Sequence, residues 1–249
     1  MVRLRLVAER QLSSRAARSL NPLLTIVIPV LNEARILPAR LEDLQFVRCR
    51  DVELIVVDGG STDDSFEISR ALSDHVLSAP AGRAKQMNEG ARHASSEWLL
   101  FLHADTRLEG EAFEALLEAL VREPDWGWFD VRIEGKHPLL SLTAAMMNSR
   151  AGLTKVATGD QGLFIRKALF DTVGGFPDIR LMEDVALSKA LRGVAKSTVV
   201  RTPLATDGRR WDQGGWFRTV LQMWCLRLAY WAGVGPDRLA DYYAHVRGR

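Results

Sequence analysis

The chain has 249 residues, 47% of them hydrophobic, which is enough to bury a core in one large domain or two small ones. Its 33 basic and 31 acidic residues give a formal charge of +2, and this near balance argues against a general nucleic-acid binder. The two cysteines lack metal-ligand or disulfide spacing and fit a cytoplasmic protein, and no apolar run reaches the roughly 18 residues of a membrane span.

Residues 1–22 form a basic N-terminal segment. Its arginines are Arg3, Arg5, Arg10, Arg15 and Arg18, with Glu9 as the one acid among them. We expect a solvated tail, with a basic arm on anionic lipid as the alternative. The segment lacks the continuous apolar stretch of a secretory signal. Residues 23–210 are predicted to form one domain, and residues 211–249 a C-terminal helical segment on or beside it.

The first half of this domain alternates apolar strands with helical patterns. Strands are predicted at 23–31, 52–58, 75–79 and 97–105. Helices are predicted at 34–47, 63–73, 83–95 and 111–123. Strands that are apolar throughout and alternate with helices are typical of a parallel sheet covered on both faces. The carboxyl ends of such strands share one edge, where ligands bind, so we expect their polar residues to form one site.

The second half loses this strict alternation. Strands are predicted at 126–135 and 196–205, and helices at 139–153 and 182–193. A strand, a short helix and a glycine turn are predicted within 162–176. The aromatic stretch 216–234 predicts a helix that either packs on the domain or lies at a membrane surface. We favour packing, because its apolar stripe is narrow enough to be buried.

His103 and Asp105 follow the apolar run of the fourth predicted strand, WLLFL. Two residues apart on a regular strand, their side chains would point to the same face and could bind one divalent cation. Carboxylates suit Mg²⁺, and Mn²⁺ accepts both carboxylate and imidazole ligands. The alternative is a packed histidine beside an aspartate that caps the next turn.

Three further stretches contain candidate site residues. Asp58 ends the second strand before a Gly-Gly turn, where a carboxylate can accept from a nucleobase or a ribose hydroxyl. Asp160 and Gln161 lie between two glycines, in a loop that can approach a sugar or phosphate, or simply close a turn. Glu183 and Asp184 open a helix, either as dipole-stabilising acids or with one of them accepting a proton from a substrate hydroxyl.

Common nucleotide and hydrolase motifs are absent from the sequence. PVLNEA follows the first strand in place of GxGxxG, and no GxxxxGK[ST] loop is present. No G-x-S-x-G elbow of a serine hydrolase is found either. Ordinary dinucleotide binding, P-loop chemistry and serine hydrolysis are therefore not predicted.

Four ordered motifs resemble those of family-2 glycosyltransferases: TIVIPVLNEA, ELIVVDGGSTDDS, LLFLHADT and EDVALSKAL. The resemblance spans roughly residues 24–195. It implies the α/β GT-A fold, a Rossmann-like, mostly parallel sheet flanked by helices, here with a C-terminal helical appendage. It also implies a nucleotide-diphosphate sugar donor, a hydroxyl acceptor, a divalent metal (Mn²⁺ or Mg²⁺) and inversion at the anomeric carbon.

Carried over by position, the resemblance implies a role for each matching residue. Glu33 and Asp58 match nucleoside contacts. Asp105 matches the last acid of the Asp-x-Asp motif, the usual metal contact, and His103 stands where the family has the first Asp. Asp184 matches the acid that acts as general base, which leaves Glu183 beside it as a substrate contact.

A narrower resemblance is to a small bacterial branch associated with arsenosugar biosynthesis, through GRAKQMNEGA, GDQGLFIRK and the stretch from Arg209 onward. It implies that Arg83 and Lys85 meet the donor diphosphate and that Arg210 and Trp211 lie near the acceptor. Two other functions stay open: a nucleotidyltransferase, whose glycine-rich signature at the first strand is missing, and a catalytically silent sugar-nucleotide-binding protein.

Overall fold

The computed structural model describes residues 22–247. Within this range, the side chains of Cys49, Arg210, Gln213 and residues 244–247 are not described. The predicted N-terminal tail therefore lies outside the described residues, except for residue 22.

One sheet contains the eight strands of the described residues. They are β1 (Leu24–Val30), β2 (Val52–Asp58), β3 (His75–Ser78), β4 (Trp98–Phe101), β5 (Thr106–Arg107), β6 (Trp126–Glu134), β7 (Leu163–Arg166) and β8 (Ser197–Asp207). Their order across the sheet is β3-β2-β1-β4-β7-β6-β8-β5. β1 is parallel to β2 and β4, β2 to β3, and β6 to β8. β7 is antiparallel to β4 and β6, and β5 is antiparallel to β8.

Helices connect these strands and follow them. The described α-helices are α1 (Leu37–Asp43), α2 (Ser65–Leu72), α3 (Arg83–His93), α4 (Gly110–Val121), α5 (Leu140–Thr154), α6 (Lys167–Thr172), α7 (Glu183–Arg192), α8 (Arg209–Gly214), α9 (Trp216–Trp231) and α10 (Pro236–Arg247). Short 3₁₀ turns occur at Val47–Cys49 and Gly159–Gln161. The predicted alternation is confirmed, with element ends displaced by a few residues.

Two apolar layers cover the sheet, as expected for strands that are apolar throughout. Along β1, Ile26 and Ile28 pack in a cluster with α1 and α4, whereas Val27 packs in a second cluster with α3, α6 and α7. Successive side chains of a strand point to opposite faces, so β1 contributes to both layers. This double burial leaves the strand ends as the accessible edge of the sheet.

The predicted strand over 97–105 is too long, because β4 ends at Phe101. The next residues form a tight turn in which the backbone N–H of Thr106 donates to the carbonyl of His103, at 3.0 Å. The turn is needed because the chain leaves β4 for β5, which pairs with β8 at the far side of the sheet. The prediction that a regular strand aligns His103 and Asp105 is therefore wrong, because both residues lie in a turn.

Helix α9 packs through the face opposite to the aromatic stripe. Thr219 and Leu226 are buried, while most of the stripe is exposed: Phe217 (72%), Leu221 (52%), Trp224 (49%), Leu228 (57%) and Trp231 (81%). The helix packs on the domain as favoured, with Trp216, Val220 and Met223 against the apolar cluster that contains Val131 and Ile133, but most of the predicted stripe takes no part in this packing. The chain instead buries Leu226 with Leu181 and Leu239, which joins α9 to α10 and to the loop before α7. Among the described helices, none combines the length and apolar character needed to cross a bilayer.

Candidate functional site

The candidate site lies at the edge of the sheet where β1, β2 and β4 end. β7 runs antiparallel to β4, with Leu163 paired to Phe101, so β7 begins at the edge where β4 finishes. The loop that precedes β7 is thereby brought next to the turn that follows β4. This reversal of direction unites residues more than fifty positions apart in the chain.

His103, Asp105 and Asp160 form a compact group at this junction. Their potential ligand atoms all lie within 4.8 Å of one another. His103 Nδ1 is 3.4 Å from Asp160 Oδ1, and both side chains are largely buried. Burial lowers the pKa of His103, but the hydrogen bond with Asp160 and the charges of Asp160 and Asp105 outweigh this, so its pKa is raised. One imidazole and two carboxylates form a donor set that Mn²⁺ and similar divalent ions accept.

Gly159 connects this group to the acid-containing helix α7. Its backbone N–H donates to Asp184 Oδ2 at 2.7 Å. A Cβ at this position would lie 2.2 Å from His103 Cε1 and 2.3 Å from Nε2, so the imidazole packs directly on the glycine backbone. Gly159 is therefore the single residue between the potential metal-binding group and Asp184.

Gln161 holds this loop in place from the interior. Its side chain is fully buried, and its Oε1 accepts from the Thr158 backbone N–H at 3.2 Å. Its Nε2 donates to the carbonyl of Phe129 at 3.4 Å. With both ends of its amide bonded within the protein, Gln161 positions the loop; a direct contact with substrate stays a prediction.

Glu183 and Asp184 occupy the first turn of α7, but they differ in environment. Glu183 is 2% exposed, and its Oε1 lies 3.1 Å from Arg83 Nε. Burial raises the pKa of Glu183; the charge of Arg83 opposes this and that of Asp184 adds to it. Asp184 is half-buried and accepts from Gly159. Met182, just before them, has φ of +70°, a strained conformation for a non-glycine residue that directs the entry into α7.

The two predicted diphosphate contacts on α3 diverge. Arg83 forms an ion pair with Glu183; against the effect of burial, the charges of Asp184 and Asp160 also raise the pKa of its guanidinium. Lys85 lies 3.7 Å from Asp178, an exposed acid outside this group. Gln86 anchors α3 to the site edge, because its buried Nε2 donates to the carbonyls of Val30 and Val57 at 2.8 Å each. The structure thus brings Arg83, but not Lys85, to the acidic cluster formed by Asp160, Glu183 and Asp184.

Glu33 and Asp58 lie in the adjacent loops after β1 and β2. Asp58 Oδ2 accepts from the backbone N–H groups of Gly60 (2.8 Å) and Ser61 (2.9 Å). Its buried Oδ1 has no hydrogen-bond partner among the described residues. The Glu33 backbone N–H donates to Ser65 Oγ at 2.9 Å, which joins the loop after β1 to the first residue of α2. An oriented carboxylate with an unused buried oxygen is suited to accept from a ligand N–H or O–H.

Comparison with known proteins places this geometry in a family. The model described as Glycosyl transferase family 2 matches residues 25–170, more than half of the chain. The chain belongs to glycosyl transferase family 2. The predicted family is thereby confirmed, and the narrower arsenosugar-related resemblance stays a prediction.

Two curated relatives of this family-2 chain come from Mycobacterium tuberculosis and Staphylococcus aureus. The PGL/p-HBAD biosynthesis glycosyltransferase of Mycobacterium tuberculosis is 32% identical over 165 residues, 62% of this chain and 63% of the relative. The poly-beta-1,6-N-acetyl-D-glucosamine synthase of Staphylococcus aureus is 24% identical over 184 residues, 66% of this chain and 44% of the relative. The chain therefore spans less than two thirds of the length of either relative.

Solved glycosyltransferases share the fold of this family-2 chain. S. aureus TarS 1-349 in complex with UDP-GlcNAc has a TM-score of 0.61 at 20% identity, covering 75% of this chain and 59% of that one. Mannosyltransferase PcManGT from Pyrobaculum calidifontis, in complex with GDP-Man and Mn²⁺, has a TM-score of 0.60 at 20% identity, covering 92% and 71%. The GT-A fold predicted for this chain is confirmed.

Trp211 and Arg210, the two residues predicted near the acceptor, are not shown to contact the site. Trp211 is 2% exposed and belongs to an apolar cluster with Val131, Ile133 and Met147. This burial gives Trp211 a packing role in the structure, and a contact with the acceptor stays a prediction. The side chain of Arg210 lies outside the described residues.

Sequence reasoning missed several residues of the site. Asp160 was predicted to contact substrate, whereas it lies beside His103 and Asp105 as a potential third metal ligand. The glycines that flank Asp160 and Gln161 were the available signal, because Gly159 allows the close approach of His103. Arg150 and Arg227 were not predicted at all, although the charge of Asp184 acts on both of them.

Proposed function

We propose that this protein is an inverting, metal-assisted glycosyltransferase that moves a sugar from a nucleotide-diphosphate sugar to an acceptor hydroxyl. The observation that carries the proposal is the contact of Gly159 with both His103 and Asp184. It puts a potential metal site and a potential base on either side of one backbone residue. Such a transfer needs both functions close to one carbon, because the diphosphate leaves from one face of the anomeric carbon while the hydroxyl attacks the other.

The donor nucleotide is expected in the loops after β1 and β2. Asp58 offers its unpartnered Oδ1 to a nucleobase N–H or a ribose hydroxyl, and Glu33 borders the same loops. TarS and PcManGT share the fold and have been solved with UDP-GlcNAc and GDP-Man respectively, which supports a nucleotide-diphosphate sugar as donor. Arg83, next to Asp160 and Asp184, supplies positive charge near the expected diphosphate.

The side chains of His103, Asp105 and Asp160 are suited to bind a divalent metal. His103, Asp105 and Asp160 would hold the ion, and a hard or borderline cation such as Mg²⁺ or Mn²⁺ matches their oxygen and nitrogen donors. When bound, such an ion stabilises negative charge on a departing diphosphate. The presence of Mn²⁺ in the PcManGT complex supports this assignment.

Asp184 is the better placed of the two acids to act as base. Glu183 is buried and paired with Arg83, so its carboxylate is not available to a substrate, whereas Asp184 is partly accessible. The hydrogen bond from Gly159 orients the Asp184 carboxylate. In the proposed step, the acceptor oxygen bonds to the anomeric carbon on the face opposite the diphosphate and its proton goes to Asp184. The carbon–oxygen bond to the diphosphate breaks, its electron pair leaves with the diphosphate, and the configuration inverts.

A ligand panel tests the donor assignment first. The full chain is melted with UDP, GDP, ADP, CDP and TDP, and with UDP-glucose, UDP-GlcNAc and GDP-mannose, each with Mn²⁺ and with EDTA. A ligand that binds the folded state raises the melting temperature by mass action, so one nucleotide should stand out and should need the metal. No shift with any nucleotide, in either condition, contradicts the proposal.

Asp184→Asn tests the chemical step on the selected donor. We expect kcat to fall roughly 100- to 10,000-fold, the usual contribution of a general base, with donor affinity unchanged. Asp178→Asn is the matched control, because Asp178 is an exposed acid in the loop before α7 that pairs with Lys85 outside the cluster. In a parallel variant, Asp105→Ala should abolish metal-dependent turnover while the fold stays intact. An Asp184→Asn enzyme as active as the Asp178→Asn enzyme would remove Asp184 from the mechanism.

A further inference from the structure

A cavity of about 460 Å³ lies between α5, α7 and α9, and the sequence analysis predicted no site there. Most of its wall is apolar, with Met147, Val185, Met223, Trp224 and Leu228 among the side chains that form it. Its volume lies in the range of small-molecule sites, roughly 300–1,000 Å³. The cavity is therefore large enough for an organic ligand.

Four cations interrupt this apolar wall: Arg150, Lys189, Arg192 and Arg227. Within residues 22–247, no acidic side chain lines the cavity. Two of the cations have partners, since Arg192 donates to the carbonyl of Thr154 at 3.0 Å and the Lys189 ammonium lies 4.8 Å from the centre of the Tyr230 ring. The cavity thus combines apolar surface with an excess of positive charge.

Arg150 and Arg227 are poorly matched by the protein itself. Arg150 contacts the carbonyl of Val156 at 3.3 Å and Gln161 Oε1 at 3.4 Å, but its buried Nε has no partner among the described residues. Arg227 forms no hydrogen bond or ion pair with any described residue. Two partly desolvated guanidiniums with spare donors are costly unless an anion joins them.

The pKa shifts of the two arginines also indicate that a bound anion would stabilise them. Burial, together with the charge of Arg227, lowers the pKa of Arg150 to about 10. Burial also lowers the pKa of Arg227, while the charges of Asp184 and Asp160 oppose this shift. At neutral pH both side chains remain charged and repel each other, so a bound anion would stabilise the pair.

The cavity is next to the proposed base. Val185, the residue after Asp184, lines it, and the charge of Asp184 acts on Arg150, Arg227 and Tyr230. A ligand held by the arginines would therefore have its polar end close to the Asp184 carboxylate. This is the position that an acceptor must occupy in the proposed transfer.

The apolar wall continues onto the outer surface of the protein. Trp224, Leu228 and Trp231 line the cavity and are 49%, 57% and 81% exposed. The same face of α9 continues through the exposed side chains of Leu221 and Phe217. An apolar chain longer than the cavity could lie along this face.

We propose that this cavity binds the acceptor, and that the acceptor is an anionic amphiphile with a phosphate or carboxylate beside the hydroxyl that receives the sugar. This inference rests on the proposed glycosyl transfer. The planar guanidiniums of Arg150 and Arg227 hold the anionic group, since arginine matches phosphate and carboxylate with paired hydrogen bonds. The apolar body fills the space between α5 and α9, and the adjacent hydroxyl faces Asp184.

Calorimetric titration of the full chain tests the chemistry of the occupant, with four probes below their micelle concentrations. Decyl phosphate and decanoate carry both features, decanol lacks the charge, and inorganic phosphate lacks the chain. We expect at least one charged amphiphile to bind about tenfold or more tightly than decanol and inorganic phosphate, and the better of the two identifies the headgroup. If neither charged amphiphile binds, or if decanol binds as tightly as both, the proposal is overturned.

Arginine variants test the location. Arg150→Gln and Arg227→Gln should each weaken binding of the charged amphiphile about tenfold or more, because each removes a charge-assisted contact. Arg218→Gln is the matched control, since Arg218 is exposed on the same helix and does not line the cavity. Equal binding by all three variants, with melting temperatures like the wild type, would place the amphiphile elsewhere and refute the assignment.

Donor binding separates this inference from the proposed function. The same variants are titrated with the selected nucleotide and Mn²⁺, and we expect donor affinity to stay within about twofold of the wild type. If the wild type binds no nucleotide, the glycosyltransferase proposal fails. If nucleotide binding is normal while no charged amphiphile binds, the transfer proposal survives and the acceptor assignment alone is wrong.

Discussion

Gly159→Ala is the most direct test of the site, because it adds one methyl group between the proposed metal ligands and Asp184. The new Cβ would lie 2.2 Å from His103 Cε1 and 2.3 Å from Nε2. Carbon atoms pack at roughly 3.5–4.0 Å, so the imidazole must retreat by more than about 1 Å. His103 is largely buried and its Nδ1 faces Asp160, so this retreat disturbs the whole group.

The expected size of the effect follows from two separate costs. Overpacking a closely packed position destabilises a protein by about 1–3 kcal/mol. Metal–ligand distances tolerate changes of only about 0.2 Å, so a shift above 1 Å removes His103 as a ligand. Loss of a contact that only orients a metal ligand weakens metal binding by roughly 10- to 100-fold, so loss of His103 itself should cost at least as much. We therefore expect a modest loss of stability and a much larger loss of Mn²⁺ affinity.

Mn²⁺ titration followed by electron paramagnetic resonance measures the affinity, and chemical unfolding measures the stability. Gly152→Ala is the matched control, because a Cβ there meets nothing within 4 Å and Gly152 lies within α5. Replacing a helical glycine by alanine should stabilise the fold by about 0.5–1 kcal/mol without affecting the metal. If Gly159→Ala binds Mn²⁺ like the wild type, the contact between Gly159 and His103 does not organise the site.

Two further variants test packing and protonation. In Gly90→Ala, the new Cβ would lie 2.4 Å from Val27 Cγ1 in the core, so we expect a loss of about 1–3 kcal/mol in chemical unfolding; unchanged stability would contradict this close packing. In Glu183→Gln, one source of pH dependence is removed. Because burial raises the folded-state pKa of Glu183, the wild type gains its stabilising contribution as the pH falls and loses it as the pH rises through that pKa. The free energy of unfolding of the wild type relative to Glu183→Gln should therefore increase as the pH falls, and a difference that is constant over pH 4.5–8 would contradict the raised pKa of Glu183.

The sequence was sufficient to predict which strand ends would meet. β1, β2 and β4 are apolar throughout and separated by helices, so their carboxyl ends had to share an edge. Asp58, His103 and Asp105 were expected there, and the structure brings them to that edge. Glu183 and Asp184 of α7 were predicted from a sequence motif. The hydrophobic pattern alone does not give the position of β7 in the sheet or the place where α7 packs.

The position of Asp160 illustrates what local pattern cannot reveal. Leu163–Arg166 is a four-residue apolar strand, and such a short run reads the same whether it pairs parallel or antiparallel. Its antiparallel pairing with β4 is the reason that the preceding loop reaches His103. Similarly, Arg150 and Arg227 lie on separate helices 77 positions apart, and only the packing of α5 against α9 makes them neighbours. Direction and tertiary packing, rather than residue type, were the missing information.

The exposed face of α9 shows why an apolar stripe does not by itself identify a buried helix face. Phe217, Leu221, Trp224, Leu228 and Trp231 alternate at spacings of four and three, the pattern that a packed helix would have. Apolar residues at helical spacing indicate that one face of a helix is covered, but a ligand or a lipid surface can cover that face as well as the protein core can. Large exposed apolar patches on soluble domains commonly mark sites of interaction. Here the stripe runs into a cavity that contains Arg227 and the unpartnered Nε of Arg150, and the proposed amphiphilic ligand would account for both the exposed apolar face and the charge of the cavity.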